Sequence, residues 1–326
     1  MTITRLKTLP PALIIAVFSF VWPAGSPAQT YPARPIRLLV GFAPGGATDI
    51  AARALGQKLS EIIGQSIVVE NRPGASGNLA AELVARASPD GYTVYLANAT
   101  IAIPSLFKKL PFDVKKDFAP VSLVGLGPAA LAVHPSVPVK SVKELVALAK
   151  RRPGELNYAS GGTGNITHLA MELFVFMTGV DMVHIPYKGG GPSTIAVVSG
   201  EAHLLFASVA STLAQIKQGK LRAIAVSSAK RSVALPDVPT VSEAGLTGYD
   251  ASSWYGVIAP AKTPREVVSK LSDDIVKALD APELKERLTN QGIEPAESGA
   301  SEFARYLDSE MAKWAKVVKA AGIPPQ

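Results

Sequence analysis

The chain of 326 residues has no cysteine at all, so no disulfide can brace it and its packed cores alone must hold it together. Aromatic residues make up only 6%, and the basic residues fall in short clusters such as Lys108-Lys109, Lys115-Lys116 and Lys150-Arg151-Arg152. Without a continuous basic track interleaved with aromatics, a nucleic-acid partner is not expected. After Val21 no apolar run is long enough to span a bilayer. Catalytic signatures are missing as well. The four histidines, His134, His168, His184 and His203, stand in no zinc-ligand spacing, and neither a G-x-S-x-G elbow nor a G-x-x-x-x-G-K-[ST] phosphate loop occurs. Gly162-Thr163-Gly164-Asn165 lacks the third glycine of a dinucleotide fingerprint. Ser160, His168 and Asp49 could be drawn as a triad, but they lie on different loops with no order signature, so an enzyme is not expected. No metal and no cofactor is expected either.

What is present is an ordinary globular composition, 48% hydrophobic and 18% charged, with length for two domains. Residues 1–28 have Arg5 and Lys7, then an apolar core from Ala12 to Val21, then small residues ending in Ser26-Pro27-Ala28. This is the pattern of a secretory signal peptide cleaved before Gln29. Of the formal charge of +7, Arg5 and Lys7 carry two, so the mature chain is mildly positive, which suits anionic solutes.

The chain is organised around Leu38–Leu59. A short apolar strand there runs into Pro44-Gly45-Gly46, then into a helix with Thr48 as expected N-cap and Ile50, Ala54, Leu55, Leu59, Ile62 and Ile63 on one face. Free N–H groups at such a helix start favour an anion. The device recurs. Leu156–Ser160 is a strand followed by Ser160–His168 and a helix, and Met182–Ile185 is a strand followed by Pro186–Ser193 and a helix closed by Gly200. Any one such loop is most simply a tight turn; three on two lobes point to a shared binding site.

Further strands are expected at Ser66–Glu70 and Tyr92–Ala97, with a helix at Asn78–Ala87 between them, giving β-α-β-α-β and a parallel sheet. Val121–Val124 and Ala129–Val133 read as strands passing between lobes, with the boundary near Gly125–Pro128. A helix follows Ser141, with Glu144 at the capping-box position. Leu204–Ala207 and Ala223–Val226 are strands flanking a helix at Ser211–Lys217, and Trp254–Ile258 is the return crossing. Helices at Pro264–Leu279 and Ser301–Ala321, the latter capped by Ser301, should dock back on the first lobe.

These stretches carry a resemblance. YPARPIRLLVGFAPGGATD, VVENRPGASG, PDGYTVYLAN, DVKKDFAPVSLV, YASGGTGNITH, IPYKGGGPS and LPDVPTVSEAG, in this order, resemble the Bug family, periplasmic solute receptors of tripartite tricarboxylate transporters, over essentially the whole mature chain. The resemblance implies a two-lobed α/β periplasmic binding protein of type II-like form, each lobe a mostly parallel sheet with flanking helices. Lobe one would be 29–127 plus 246–326 and lobe two 128–245, with a small carboxylate held in the cleft, often through ordered waters. It implies delivery to membrane transporter subunits from the periplasm, by a chain expected to be monomeric; presentation to a membrane sensor is the alternative that shares every one of these features. Carried over by residue, it puts Phe42, Gly45, Gly46 and Asp49 on one wall with Asn98 and Thr100 nearby. Opposite stand Ser160, Thr163, Gly164, His168, Lys188, Gly189, Ala207 and Ser208. Where amino-acid-binding members tend to have an aspartate, this chain has Ala207, so a plain carboxylate is expected rather than an amino acid. Taken on their own chemistry, Asp49 could serve only the helix dipole, Lys188 could be a solvated loop residue, and His168 reads as support for its loop.

Overall fold

The computed structural model describes residue 2, residues 31–107 and 109–320, and residue 325. The signal peptide expected over residues 1–28 lies, apart from residue 2, outside the described residues. Pro32 onward forms one compact unit containing two sheets.

The first sheet begins as the hydrophobic pattern dictates. Strand β1 (Ile36–Val40) leads through the glycine turn into helix α1 (Ala47–Ile63), and β2 (Ile67–Asn71), α2 (Asn78–Ala85) and β3 (Thr93–Asn98) follow. β1 pairs in parallel with both β2 and β3, as a β-α-β-α-β run requires. β4 (Phe118–Gly127) then runs antiparallel and is longer than the apolar core Val121–Val124 on which it was expected. Pro128 separates it from β5 (Ala129–Val133), where the chain enters the second sheet.

The second sheet collects β6 (Asn157–Ser160), β7 (Val183–Pro186), β8 (Leu204–Ser208) and β9 (Arg222–Val226) around β5. Its helices are α3 (Val142–Arg151), α4 (Ile166–Thr178), α5 (Gly190–Val198) and α6 (Val209–Lys217). Ser141 caps α3 by accepting from the Glu144 N–H at 3.2 Å, while the Glu144 carboxylate accepts from the Lys140 N–H at 2.6 Å. The expected reciprocal cap is therefore there, shifted by one residue on the carboxylate side. The chain returns to the first sheet along β10 (Ser253–Pro260), every residue of which is buried.

Strand orders are β11-β4-β10-β3-β1-β2 and β7-β6-β8-β5-β9, where β11 is Glu294–Ser298. Two lobes with flanking helices are as expected, but both sheets are mixed rather than mostly parallel. The reason is that β4, β10 and β5 connect the lobes and run against their neighbours. Two further differences are local. α1 starts at Ala47 with Gly46 as its cap, so Thr48 is inside the first turn. Helix α8 (Pro282–Asn290) was not legible, because only Leu284 and Leu288 of PELKERLTN are buried, too few apolar positions to set a period.

α7 (Arg265–Asp280) and α9 (Ala300–Ala320) pack back on the first sheet, with Ser301 as the second residue of α9 rather than its cap. Phe303 of α9 meets Trp254 edge to face at 5.5 Å and reaches Gly256 with its ring tip, where a Cβ would stand 2.2 Å from Cζ. A single apolar core runs from Leu39 and Ala97 in one lobe to Leu131, Phe174 and Phe206 in the other, with Trp254 and Tyr249 between. Replacing Gly256 by Ala forces the Phe303 ring aside, and we expect a loss of about 1–3 kcal/mol, read as a lower midpoint in urea unfolding at unchanged slope.

Candidate functional site

Two hydroxyl-rich strand ends and four helix starts surround one hollow between the sheets, of about 520 Å³ of non-atom space, part of it open to solvent. Gly46, Ala47 and Thr48 come from the start of α1, Gly190 from α5, and Ser208 and Ser211 from α6. Asn165, Ile166 and Thr167 come from the start of α4, and Asn98, Ser253 and Tyr255 complete the polar lining with Phe42 as its aromatic wall. Among the described residues, no Asp, Glu, Lys, Arg or His lines this chamber.

The helix starts differ in a way that matters. α4 is capped: the Asn165 side chain accepts from the Thr167 N–H at 2.9 Å, and the Ile166 N–H donates across the cleft to Thr100 Oγ1 at 3.3 Å. α1, α5 and α6 carry no side-chain cap. Glycine at the cap of α1 and α5 removes the side chain that would have satisfied their first amides. The partial positive ends of three helices thus point at one hollow that contains no formal positive charge.

The lobes meet closely. The Ala43 N–H donates to the Lys188 carbonyl at 3.2 Å, the Tyr255 hydroxyl to Ser208 Oγ at 3.2 Å, and the Ser76 hydroxyl to the Thr163 carbonyl. A Cβ on Gly191 would stand 2.9 Å from the Pro44 carbonyl oxygen, so only glycine lets the α1 and α5 loops approach backbone to backbone. A second, outer chamber of about 770 Å³ shares Phe42 with the first and is lined by Gly41, Ser76, Phe107, Thr163 and Lys188 among others. Lys188 is exposed there and, among the described residues, is the one charged residue of its lining.

Of the residues singled out from sequence, Phe42, Gly46, Asn98 and Ser208 line the inner chamber, while Thr163 and Lys188 line the outer one with Phe42. The rest stand behind these walls. Gly45, at φ 81°, offers its N–H to Asp49 at 3.0 Å. Asp49 is buried and turns away from the hollow, accepting also from Arg53 and from Asn71 Nδ2 at 2.9 Å. Burial alone would raise its pKa, but the hydrogen bonds from Arg53, Gly45 and Asn71 outweigh that and the net shift is downward. Thr100 bridges to α4, Gly164 packs at φ 73° against the Phe107 ring, and Gly189 abuts Ala43. Ala207 is fully buried in an apolar cluster with Ala132, Ala159 and Leu205.

Ser160 and His168 do not form a triad with Asp49. Ser160 is fully buried, its Oγ lies 2.6 Å from His184 Nε2, and Asp49 is engaged in the other lobe. Sequence reasoning missed Ala47, Thr48, Asn165, Gly190, Ser211, Ser253 and Tyr255. Thr48, Asn165 and Gly190 sat inside the glycine-rich stretches already noticed, one or two residues past the expected wall. Ser211, Ser253 and Tyr255 had no local signal.

Residues 51–323 match the family described as the tripartite tricarboxylate transporter family receptor. The chain belongs to that family. It is 36% identical to the protein BugT of Bordetella pertussis over 99% of each chain. An R. palustris protein solved with adipate is 38% identical with a TM-score of 0.88, over 91% of this chain and all of that one. The periplasmic binding protein BugD is 34% identical at the same TM-score and coverage. This receptor is thus of a family of binding proteins, not enzymes.

Because Asp49 ties the Gly45 amide of the loop to Arg53 of α1 and Asn71 of β2, Asp49→Ala should destabilise the fold by about 1–3 kcal/mol. Urea unfolding without ligand measures it; an unchanged midpoint would mean the loop holds without this carboxylate.

Proposed function

We propose that the receptor captures a small carboxylate outside the cytoplasm and hands it to a tripartite tricarboxylate-type transporter, acting as a monomer in the periplasm after removal of residues 1–28. The observation that carries this reading is the convergence of the uncapped starts of α1, α5 and α6 on a hollow without charged side chains. Burying a carboxylate is costly unless hydrogen-bond donors replace its water, and backbone N–H groups at helix starts do so while their dipoles supply positive potential. The relative solved with adipate supports the same ligand class. The inner chamber accepts the carboxylate at Ala47, Thr48, Gly190 and the Ser208–Ser211 turn, and Phe42 covers the ligand body.

Closure turns on the strands through Pro128 and on the 227–252 segment, since these connect the sheets. Ligand contacts to both lobes stabilise the closed arrangement, because a ligand touching one lobe alone would shift no equilibrium. An amino acid would find no acidic partner for its ammonium in the inner chamber.

Two measurements test this. In a thermal-shift panel of mono-, di- and aromatic carboxylates with their amides and amino-acid analogues, the acids should raise the melting temperature and the amides and amino acids should not. Equal stabilisation by acid and amide would contradict anion recognition. Thr48 Oγ1 accepts from Asn98 Nδ2 at 3.4 Å, leaving its own hydrogen free to donate. Thr48→Val should therefore weaken the best acid of the panel by ~10- to 100-fold in calorimetric titration, the cost of one hydrogen bond to a charged group.

A further inference from the structure

Behind the cleft wall of the second lobe, two histidine rings stack with centroids 4.1 Å apart and planes 26° from parallel, and Tyr158 continues the stack 4.9 Å from His184. Each ring holds one end of the turn that joins β6 to α4. At the start of the turn, Ser160 Oγ lies 2.6 Å from His184 Nε2 and 3.3 Å from the Gly162 carbonyl oxygen, and with the His184 hydrogen on Nδ1 the hydroxyl donates to the ring. Ser160 Oγ also accepts from the Gly162 N–H at 3.2 Å. At the end of the turn, the Gly164 N–H donates to His168 Nδ1 at 3.3 Å. His168 must therefore carry its hydrogen on Nε2, which faces Glu172 Oε1 at 3.6 Å. Between these two anchors lie Gly161, Gly162 and Thr163 of the outer chamber, and Asn165 of the inner chamber follows directly.

We infer that His168 and His184 are positioning residues, a stacked pair of neutral hydrogen-bond acceptors that clamps the Ser160–Gly164 turn in its ligand-receiving shape and releases it when either ring gains a proton. This deepens the carboxylate-receptor reading and rests on it for the ligand. A protonated His168 would aim an N–H at the Gly164 N–H, and a protonated His184 could no longer accept from Ser160. A charge on one ring also opposes a charge on the other. The groups that face the pair are Glu172 from α4 and Tyr158 from β6, and the Tyr158 hydroxyl already donates to Glu172.

Burial lowers the pKa of His168 to about 4, and burial together with the neighbouring His168 lowers that of His184 to about 4 despite the opposing pull of Glu172. The sign follows. Both values lie below the ordinary 6.5, so an opened turn binds more protons than the clamped one between these limits. The clamped form accordingly loses stability as the pH falls from 6.5 through 4.

The test uses the full mature chain labelled with nitrogen-15. At neutral pH, ring-nitrogen shifts should show His168 Nδ1 and His184 Nε2 without hydrogen, and the amide-exchange protection factor of Gly164 should fall about tenfold on going to about pH 4. The opposite tautomer, or protection that survives ring protonation, overturns the clamp. In the second arm, adipate, succinate, malate and benzoate are titrated into the wild type and into variants. His168→Asn and His184→Gln keep an acceptor that does not titrate, and combined they should abolish the acid fall-off that remains in the wild type once the acids' own protonation, at about pH 4, is divided out of the measured affinity. His184→Phe keeps the stack without the acceptor and should weaken binding about tenfold at neutral pH. The same fall-off in the Asn and Gln double variant as in the wild type, after that correction for ligand ionisation, overturns the proposal. If none of the four acids binds at any pH, the carboxylate reading fails, and the ring shifts with Gly164 protection decide the clamp on their own.

Discussion

The whole arrangement answers one electrostatic constraint: an anion removed from water needs donors in place of its hydration shell, and a formal counter-charge buried beside it would itself need desolvating. Among the described residues the inner chamber has no charged side chain, and on the proposed reading the uncapped first turns of α1, α5 and α6 take that part. Much else follows from it. The caps of α1 and α5 are glycine, the α1 and α5 loops touch where a Cβ at Gly191 would collide with Pro44, and the charge of Asp49 is spent inside its own lobe on Gly45, Arg53 and Asn71. A carboxylate facing the hollow would repel the guest. Turned inward, it shapes the loop instead.

The same division of labour extends to the second lobe. There the walls are polar but neutral, and the ionisable groups stand one layer back, where His168 and His184 hold the Ser160–Gly164 turn and Glu172 holds Tyr158. Lys188 is the exception, exposed in the outer chamber and separated from the inner one by Phe42. Its backbone rather than its ammonium bridges the lobes, through the carbonyl that accepts from Ala43.

Sequence reading reached the glycine turns because strand, Gly-rich turn and helix leave a strong local pattern, and it reached the two lobes because the crossings at β4, β5 and β10 are apolar runs that break the alternation of strand and helix. It did not reach the floor. Ser211, Ser253 and Tyr255 are ordinary residues of a helix and a crossing strand, and only the closure of one sheet over the other makes them neighbours of Thr48. Residues carried over from the resemblance by segment lie on loops around the two chambers, but a segment match does not say which way a side chain turns. Asp49 and Ala207 sit one or two positions from lining residues and face the interior. Pairing was hidden too: Ser160 meets His184, which lies on another strand, and not the nearer-looking His168. The mixed sheets and α8 were lost for a simpler reason, since periodicity reports neither strand direction nor a helix with two apolar contacts.

On the proposed reading, a hollow whose attraction is made of peptide groups has an evolutionary consequence. Backbone amides are not encoded by any one codon, so substitutions at Phe42, Asn98, Ser211 or Ser253 can reshape the cavity for guests of another length or outline while the affinity for negative charge persists. Diversification of what such a scaffold carries can then proceed by single steps in lining residues, without passing through intermediates that have lost the ability to hold an acid.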